Sequence, residues 1–298
     1  MTTAFTMDAD WLSFETTPTK PKFRLPAGTV DAHCHVFGPG SEFPFAPERK
    51  YTPCDAGKGQ LFELRDFLGI ERNVIVQATC HGTDNSAMLD ALDAANSRCR
   101  GVAAITSETS AGELSEMHER GVRGVRFNYV RRLVDPEPDE YYRRIVERIA
   151  PLGWHVVVYF EAADLAERWD LFTSIETRVV VDHLGRPDVT QSVDGPEFSQ
   201  FLRLMEENEN VWTKVTCPER LSRTGPHNYD DTVPFMRKVI DRFPDRVLWG
   251  TDWPHPNMKD YMPDDGLVVD FLPRIAQTRE QQHQLLVDNP SRLYWKEP

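Results

Sequence analysis

The sequence has no long apolar run, no paired cysteines and too few cations to balance its acids, and each lack closes a class of function. No segment approaches the ~20 consecutive apolar residues of a membrane span. The first twenty residues include acids but no hydrophobic stretch of export-signal length, so the expectation is a soluble, cytoplasmic protein. The five cysteines (Cys34, Cys54, Cys80, Cys99 and Cys217) are odd in number, widely spaced and without a Cys-x-x-Cys, which argues against a disulfide framework or a thiolate zinc site. With 34 Lys and Arg against 47 Asp and Glu, the formal charge is −13. That balance disfavours nucleic acid and anionic membrane as partners, because both need a basic face. An anionic ligand would have to be held by a local group of arginines. Gly-x-Gly-x-x-Gly and Gly-x-Ser-x-Gly are absent as well, which removes support for a dinucleotide fold and for a serine-nucleophile elbow.

What the chain does have is a repeated alternation. Short β-branched runs at 30–37, 73–79, 102–105, 122–128, 155–160, 179–183, 211–216 and 246–251 read as strands. Between them, apolar residues at helical spacing predict helices at 60–68, 86–96, 111–120, 141–150, 163–175, 197–206 and 231–243, with a last one at 279–287. Eight strands alternating with helices predict an α/β protein, a single (β/α)8 barrel over residues 1–298. Residues 1–26 read as an irregular arm, and 290–295 as a terminal cap. The loop at 38–53 holds too much proline for a helix or a central strand, and loops of that length tend to be functional.

A barrel of this kind carries its site at the C-terminal ends of the strands, so the residues predicted there are the candidates. In Val-Asp-Ala-His-Cys-His-Val-Phe, residues 30–37, strand alternation puts Asp31, His33 and His35 on one face and turns Cys34 away. Strand two offers Gln77 and Thr79, strand four Arg126 and Asn128, strand five Tyr159 and Glu161, strand six His183, and strand eight Asp252. A single buried histidine is more often a hydrogen-bonded core residue than a catalytic one. Three histidines and an aspartate gathered at one rim read as a site. Arg126 points inward, where an unpaired guanidinium would be expensive. Arg131 reads as solvated, and Arg220, just after strand seven, is intermediate.

These stretches resemble the amidohydrolase superfamily, with His-x-His after the first strand, His after the sixth and Asp after the eighth, in Gly-Thr-Asp-Trp-Pro. The superfamily usually adds metal ligands from strands four and five. Here those places hold Arg126, Asn128 and Tyr159, so the resemblance implies no binuclear centre. A mononuclear zinc on His33, His35, His183 and Asp252 is the metal site it allows. Within the superfamily, four stretches are similar to the 2-pyrone-4,6-dicarboxylate lactonases of bacterial aromatic and lignin catabolism: Asp-Ala-His-Cys-His-Val-Phe-Gly-Pro (31–39), Gln-Ala-Thr-Cys-His-Gly-Thr-Asp-Asn (77–85), Arg-Gly-Val-Arg-Phe-Asn (123–128) and Thr-Asp-Trp-Pro-His-Pro-Asn-Met (251–258).

That resemblance implies hydrolysis of a small dianionic lactone to an open-chain tricarboxylate, with no metal required. Asp252 would be the general base. His33, His35 and His183 would surround the scissile carbonyl, and Tyr51, Thr79, Arg126, Arg132, Tyr159 and Arg220 would receive the carboxylates. Position 79 departs from the family's serine; threonine keeps the hydroxyl and adds a methyl. The competing readings are a 4-sulfomuconolactone hydrolase, a metal-dependent decarboxylase of the superfamily and an inactive dianion-binding protein. The carboxylate of Asp252 argues against the last, since a binder of dianions gains nothing from it. The oligomeric state is not legible in the sequence.

Overall fold

A computed structural model describes residues 5–296. Eight parallel strands form one sheet in sequential order: β1 (Val30–Cys34), β2 (Arg72–Val76), β3 (Cys99–Ala103), β4 (Val122–Asn128), β5 (His155–Tyr159), β6 (Val179–Val181), β7 (Val211–Lys214) and β8 (Val247–Leu248). Between β8 and β1, the Ala32 N–H donates to the Trp249 carbonyl at 2.8 Å and the Asp252 N–H to the His33 carbonyl at 2.8 Å, drawing the sheet toward a barrel. That junction requires glycine at 250. A Cβ there would lie 2.4 Å from the His33 nitrogen, well inside contact distance.

Valines dominate the strands because a parallel sheet covered on both faces needs apolar, β-branched side chains throughout. Their inward rows (among them Val30, Val74, Val102, Val157 and Val180) fill the barrel, and Leu293 and Tyr294 of the helix Asn289–Tyr294 close its lower end. The predicted terminal cap is therefore present. The outward rows pack against the surrounding helices in a second, larger cluster. Burying side chains of this size stabilises the fold by about 1.5–3 kcal/mol each relative to exposure.

The predicted helices all form, with ends shifted by at most four residues. Two helices went unpredicted, the single turn Pro218–Leu221 and the helix Asp265–Ile275; Pro273 lies inside the latter and obscures its periodicity. Asp265–Ile275 starts where the Asp264 carboxylate accepts the Gly266 and Leu267 N–H groups. No helix of the described residues is long and apolar enough to cross a membrane.

One expectation needs correction. Most of the predicted strands run past their true C-terminal ends: β1 stops at Cys34 rather than residue 37, β6 at Val181, β7 at Lys214 and β8 at Leu248. The residues beyond leave the ladder in left-handed turns that sequence periodicity does not register. The arm, although irregular, is tied down. Asp8 and Thr52 exchange two hydrogen bonds of 3.0 and 2.9 Å, the Leu12 N–H donates to the Met258 carbonyl at 2.9 Å, and Phe14 meets Trp253 edge-on at 5.0 Å. It thus spans the loops that follow β1 and β8.

Candidate active site

The site is built from chain that turns sharply as it leaves the barrel. His183 (φ 52°), Cys217 (φ 58°) and Asp252 (φ 65°), just beyond β6, β7 and β8, are all left-handed. Non-glycine residues enter that region at a cost, and such strain gathers at functional sites. The turns aim the side chains across the barrel mouth. Asp31, expected on the same face as the histidines, is instead spent on structure: its carboxylate accepts the Thr251 N–H at 3.0 Å and hydroxyl at 2.8 Å. Burial pushes its pKa up to about 6, against those bonds. Cys34 points away, as expected, and donates to the Val74 carbonyl.

Asp252 is the centre. Its Oδ2 accepts two N–H groups of Arg220 at 3.0 and 2.7 Å, while Oδ1 lies 3.4 Å from His33 Nε2 and 3.3 Å from His35 Nε2. Burial would raise its pKa, but Arg220, helped by His33, outweighs it and holds the carboxyl well below the usual range. His35 Nδ1 lies 2.7 Å from the Val76 carbonyl, which can only accept, so the proton is on Nδ1 and Nε2 faces Asp252 as a lone pair. Burial, partly opposed by Asp252, lowers the pKa of His35 to about 4, so it is neutral at physiological pH. His183 is also held neutral by burial, with Nδ1 2.5 Å from the Thr216 hydroxyl and its ring 4.8 Å from that of His33.

Behind this group lies a buried ionic hub that sequence reasoning missed. Asp182 receives Nε and Nη2 of Arg126 on Oδ2 at 3.0 and 2.8 Å, and Lys214 Nζ lies 3.1 Å from Oδ1. Lys214 also lies 2.9 Å from His33 Nδ1. That nitrogen is also 3.2 Å from Asp182 Oδ1, so the imidazole sits between the ammonium and the carboxylate. Burial raises the pKa of Asp182, yet Lys214, His33 and Arg126 together keep it well below the ordinary value. The only sequence signal for this hub was a lysine in the otherwise barrel-like strand Val-Trp-Thr-Lys.

A cavity opens onto these groups, and its walls include His35, Tyr51, Thr79, Arg126, Arg132, Tyr159, His183, Arg220 and Asp252. Every residue expected to act on or bind the substrate, except His33, therefore faces one space, and His33 sits directly behind Asp252; the further strand-end candidates Gln77, Asn128 and Glu161 lie outside its walls. Arg132 is half exposed at the mouth, near Glu161 at 3.7 Å, whereas Arg131 is exposed, as expected. The wall also holds Leu133, Pro256 and Asn257, which the sequence did not suggest. Arg186, likewise missed, donates to the Tyr159 hydroxyl at 3.1 Å and to Glu161 at 2.9 Å, fixing the phenol. Arg126 and Arg220, expected to grip substrate carboxylates, already hold Asp182 and Asp252 in this structure.

The superfamily's metal chemistry prompts a test of the donor set. His33, His35 and Asp252 present atoms spaced as the ligands of one ion, and the His35 lone pair and the unpartnered His33 Nε2 converge on Asp252 Oδ1. By spacing, these residues can hold a divalent cation. His183 joins Asp252 and Cys217 in a neighbouring donor group rather than completing the first.

The chain matches the Amidohydrolase family over residues 30–295. It is 64% identical over 294 residues to a 2-pyrone-4,6-dicarboxylate hydrolase of Comamonas testosteroni, covering 96% of each chain. It is 37% identical over 276 residues to a 4-sulfomuconolactone hydrolase of Hydrogenophaga intermedia, covering 92% of this chain and 90% of that one. A crystal structure of a probable 2-pyrone-4,6-dicarboxylic acid hydrolase from Acinetobacter baumannii, with citric acid bound, superposes with a TM-score of 0.79 at 26% identity, covering 90% of this chain and all of the other. With eight strands in barrel order, the His-x-His pair, His183 and Asp252 at one rim, and these matches along nearly its whole length, this chain belongs to the amidohydrolase family.

Proposed function

We propose that this chain is a cytoplasmic lactonase that opens 2-pyrone-4,6-dicarboxylate to 4-oxalomesaconate in aromatic-compound catabolism, working as a single barrel domain. The observation that carries the reading is Asp252, an ionised carboxylate beside neutral His35, at the floor of a cavity walled by Arg126, Arg132 and Arg220. The 64% identity to a hydrolase of that substrate supports it. Bidentate guanidinium contacts suit a planar dianion, and Tyr51, Thr79 and Tyr159 would fix its orientation. The five free cysteines suit a reducing compartment.

In this mechanism a water donates to Asp252 Oδ1 and His35 Nε2, two acceptors 3.3 Å apart. As its oxygen attacks the lactone carbonyl, one proton passes to Asp252. The developing oxyanion is met by His183 on the cavity wall, with His33 directly behind Asp252, in a site where burial strengthens each contact. Collapse breaks the ring C–O bond, and Asp252 returns its proton to the leaving oxygen. Because Arg220 keeps Asp252 ionised, no proton must be lost before the reaction begins. The cycle closes on these residues without a metal. Zinc held by His33, His35 and Asp252, with His183 nearby, would supply Lewis-acid polarisation of the carbonyl.

A second reading, hydrolysis of 4-sulfomuconolactone, is favoured by the donor set and by the 37% identical relative. Turnover of a lactone panel with and without a strong chelator separates the two. The first reading expects pyrone dicarboxylate to be hydrolysed at an unchanged rate in chelator. Preference for sulfomuconolactone, or loss of activity restored by zinc, would overturn it.

A further inference from the structure

Beside Asp252 lies a second set of buried charges that the mechanism above leaves unused. His255 is fully enclosed between two carboxylates, with Nε2 3.1 Å from Asp265 Oδ1 and Nδ1 3.5 Å from Glu219 Oε1. Glu219 Oε1 in turn lies 3.8 Å from Nε of Arg220. The His255 N–H donates to the Asp252 carbonyl at 2.7 Å. The groups therefore close a ring: the backbone of Asp252, the imidazole of His255, the carboxylate of Glu219, the guanidinium of Arg220, and back to the carboxylate of Asp252. Asp265, first residue of the helix Asp265–Ile275, ties the ring to the barrel wall.

Arg220 needs such support. It sits on a single helical turn, Pro218–Leu221, entered through the left-handed Cys217. One turn cannot orient a long side chain by itself. Tyr261 anchors that turn by donating its hydroxyl to the Glu219 carbonyl at 2.9 Å. The Glu219 side chain makes no hydrogen bond of its own, so its contribution is charge placed beside the guanidinium and the imidazole. Burial works against a charged His255, but Asp265 and Glu219 outweigh it and push its pKa up to about 10.

We propose that Glu219 and His255 are positioning residues: they hold Arg220 against Asp252 with its remaining edge toward the cavity, and so set how strongly the site grips a carboxylate-bearing lactone. The inference rests on the lactonase reading. Its test is Glu219→Gln, which keeps the size and removes the charge, assayed in the full chain on 2-pyrone-4,6-dicarboxylate and on uncharged 2-pyrone. The expected result is a KM for the dicarboxylate raised about tenfold with kcat within about threefold, and an unchanged kcat/KM for the uncharged ring. Glu219→Asp, which restores the charge, should leave KM only about threefold above the parent chain. An unchanged KM in Glu219→Gln, or equal losses on both substrates, overturns the proposal. If the glutamine variant does not fold, an aspartate variant whose kcat/KM falls equally on the dicarboxylate and on the uncharged ring overturns it. Failure of the parent chain to hydrolyse the dicarboxylate refutes the lactonase reading itself, a separate outcome.

Discussion

Asp252→Asn is the sharpest perturbation of this site, because the structure says what the amide would do. The amide oxygen can still accept from Arg220, which now approaches Oδ2 at 2.7 and 3.0 Å. The amide N–H₂ can donate to His35 Nε2, a lone pair because its Nδ1 proton is spent on the Val76 carbonyl. The contacts that position the residue therefore survive, and only the proton acceptor is lost. Removing a general base lowers turnover by about 10²- to 10⁴-fold, or roughly 2.7–5.5 kcal/mol of barrel-mouth catalysis. Arg220, relieved of a full counter-charge, becomes more available to a substrate carboxylate, so KM should stay the same or fall. Following loss of the pyrone chromophore over time, with substrate affinity measured separately by calorimetry, distinguishes the two effects. A kcat within tenfold of the parent enzyme would refute the assignment, and a collapse of binding would show that Asp252 acts mainly as a structural counter-ion.

The hub behind the site predicts a stability effect. Asp182→Asn leaves Lys214 and Arg126 without a buried counter-charge and should cost about 3–5 kcal/mol, read from denaturant midpoints; a loss below about 1 kcal/mol would refute its central place. The histidines predict opposite pH limbs. His255, raised to about 10 from an ordinary value near 6.5, contributes stability that is complete below about pH 6.5 and lost as pH rises toward 10. His35, lowered to about 4, resists a proton that the unfolded chain takes up, so its effect is a loss of stability as pH falls from about 6.5 to 4. Denaturation midpoints across pH should fall on both sides of neutrality, and His255→Gln should flatten only the alkaline side; an unchanged alkaline limb would contradict the buried pairing.

Pattern and composition determined the barrel. Fully covered parallel strands need continuous β-branched runs and the helices between them need spaced apolar residues, so the alternation was legible from Val30 to Leu248. The His-x-His run, His183 and Asp252 were legible as candidates because three histidines and an acid gathered at one rim read as a site, although any one alone would read as core. Arg126, Arg132 and Arg220 were legible as the cations an acidic chain needs in order to hold an anion.

Tertiary structure alone decided how those groups are spent. The left-handed turns at His183, Cys217 and Asp252 depend on contacts across the barrel mouth, and no local periodicity encodes them. That Arg220 rests on Asp252, that Lys214 meets His33, and that His255 joins Glu219 to Asp265 are pairings between residues 10 to 181 positions apart. Charge pairing is set by distance in space, and folding alone supplies those distances.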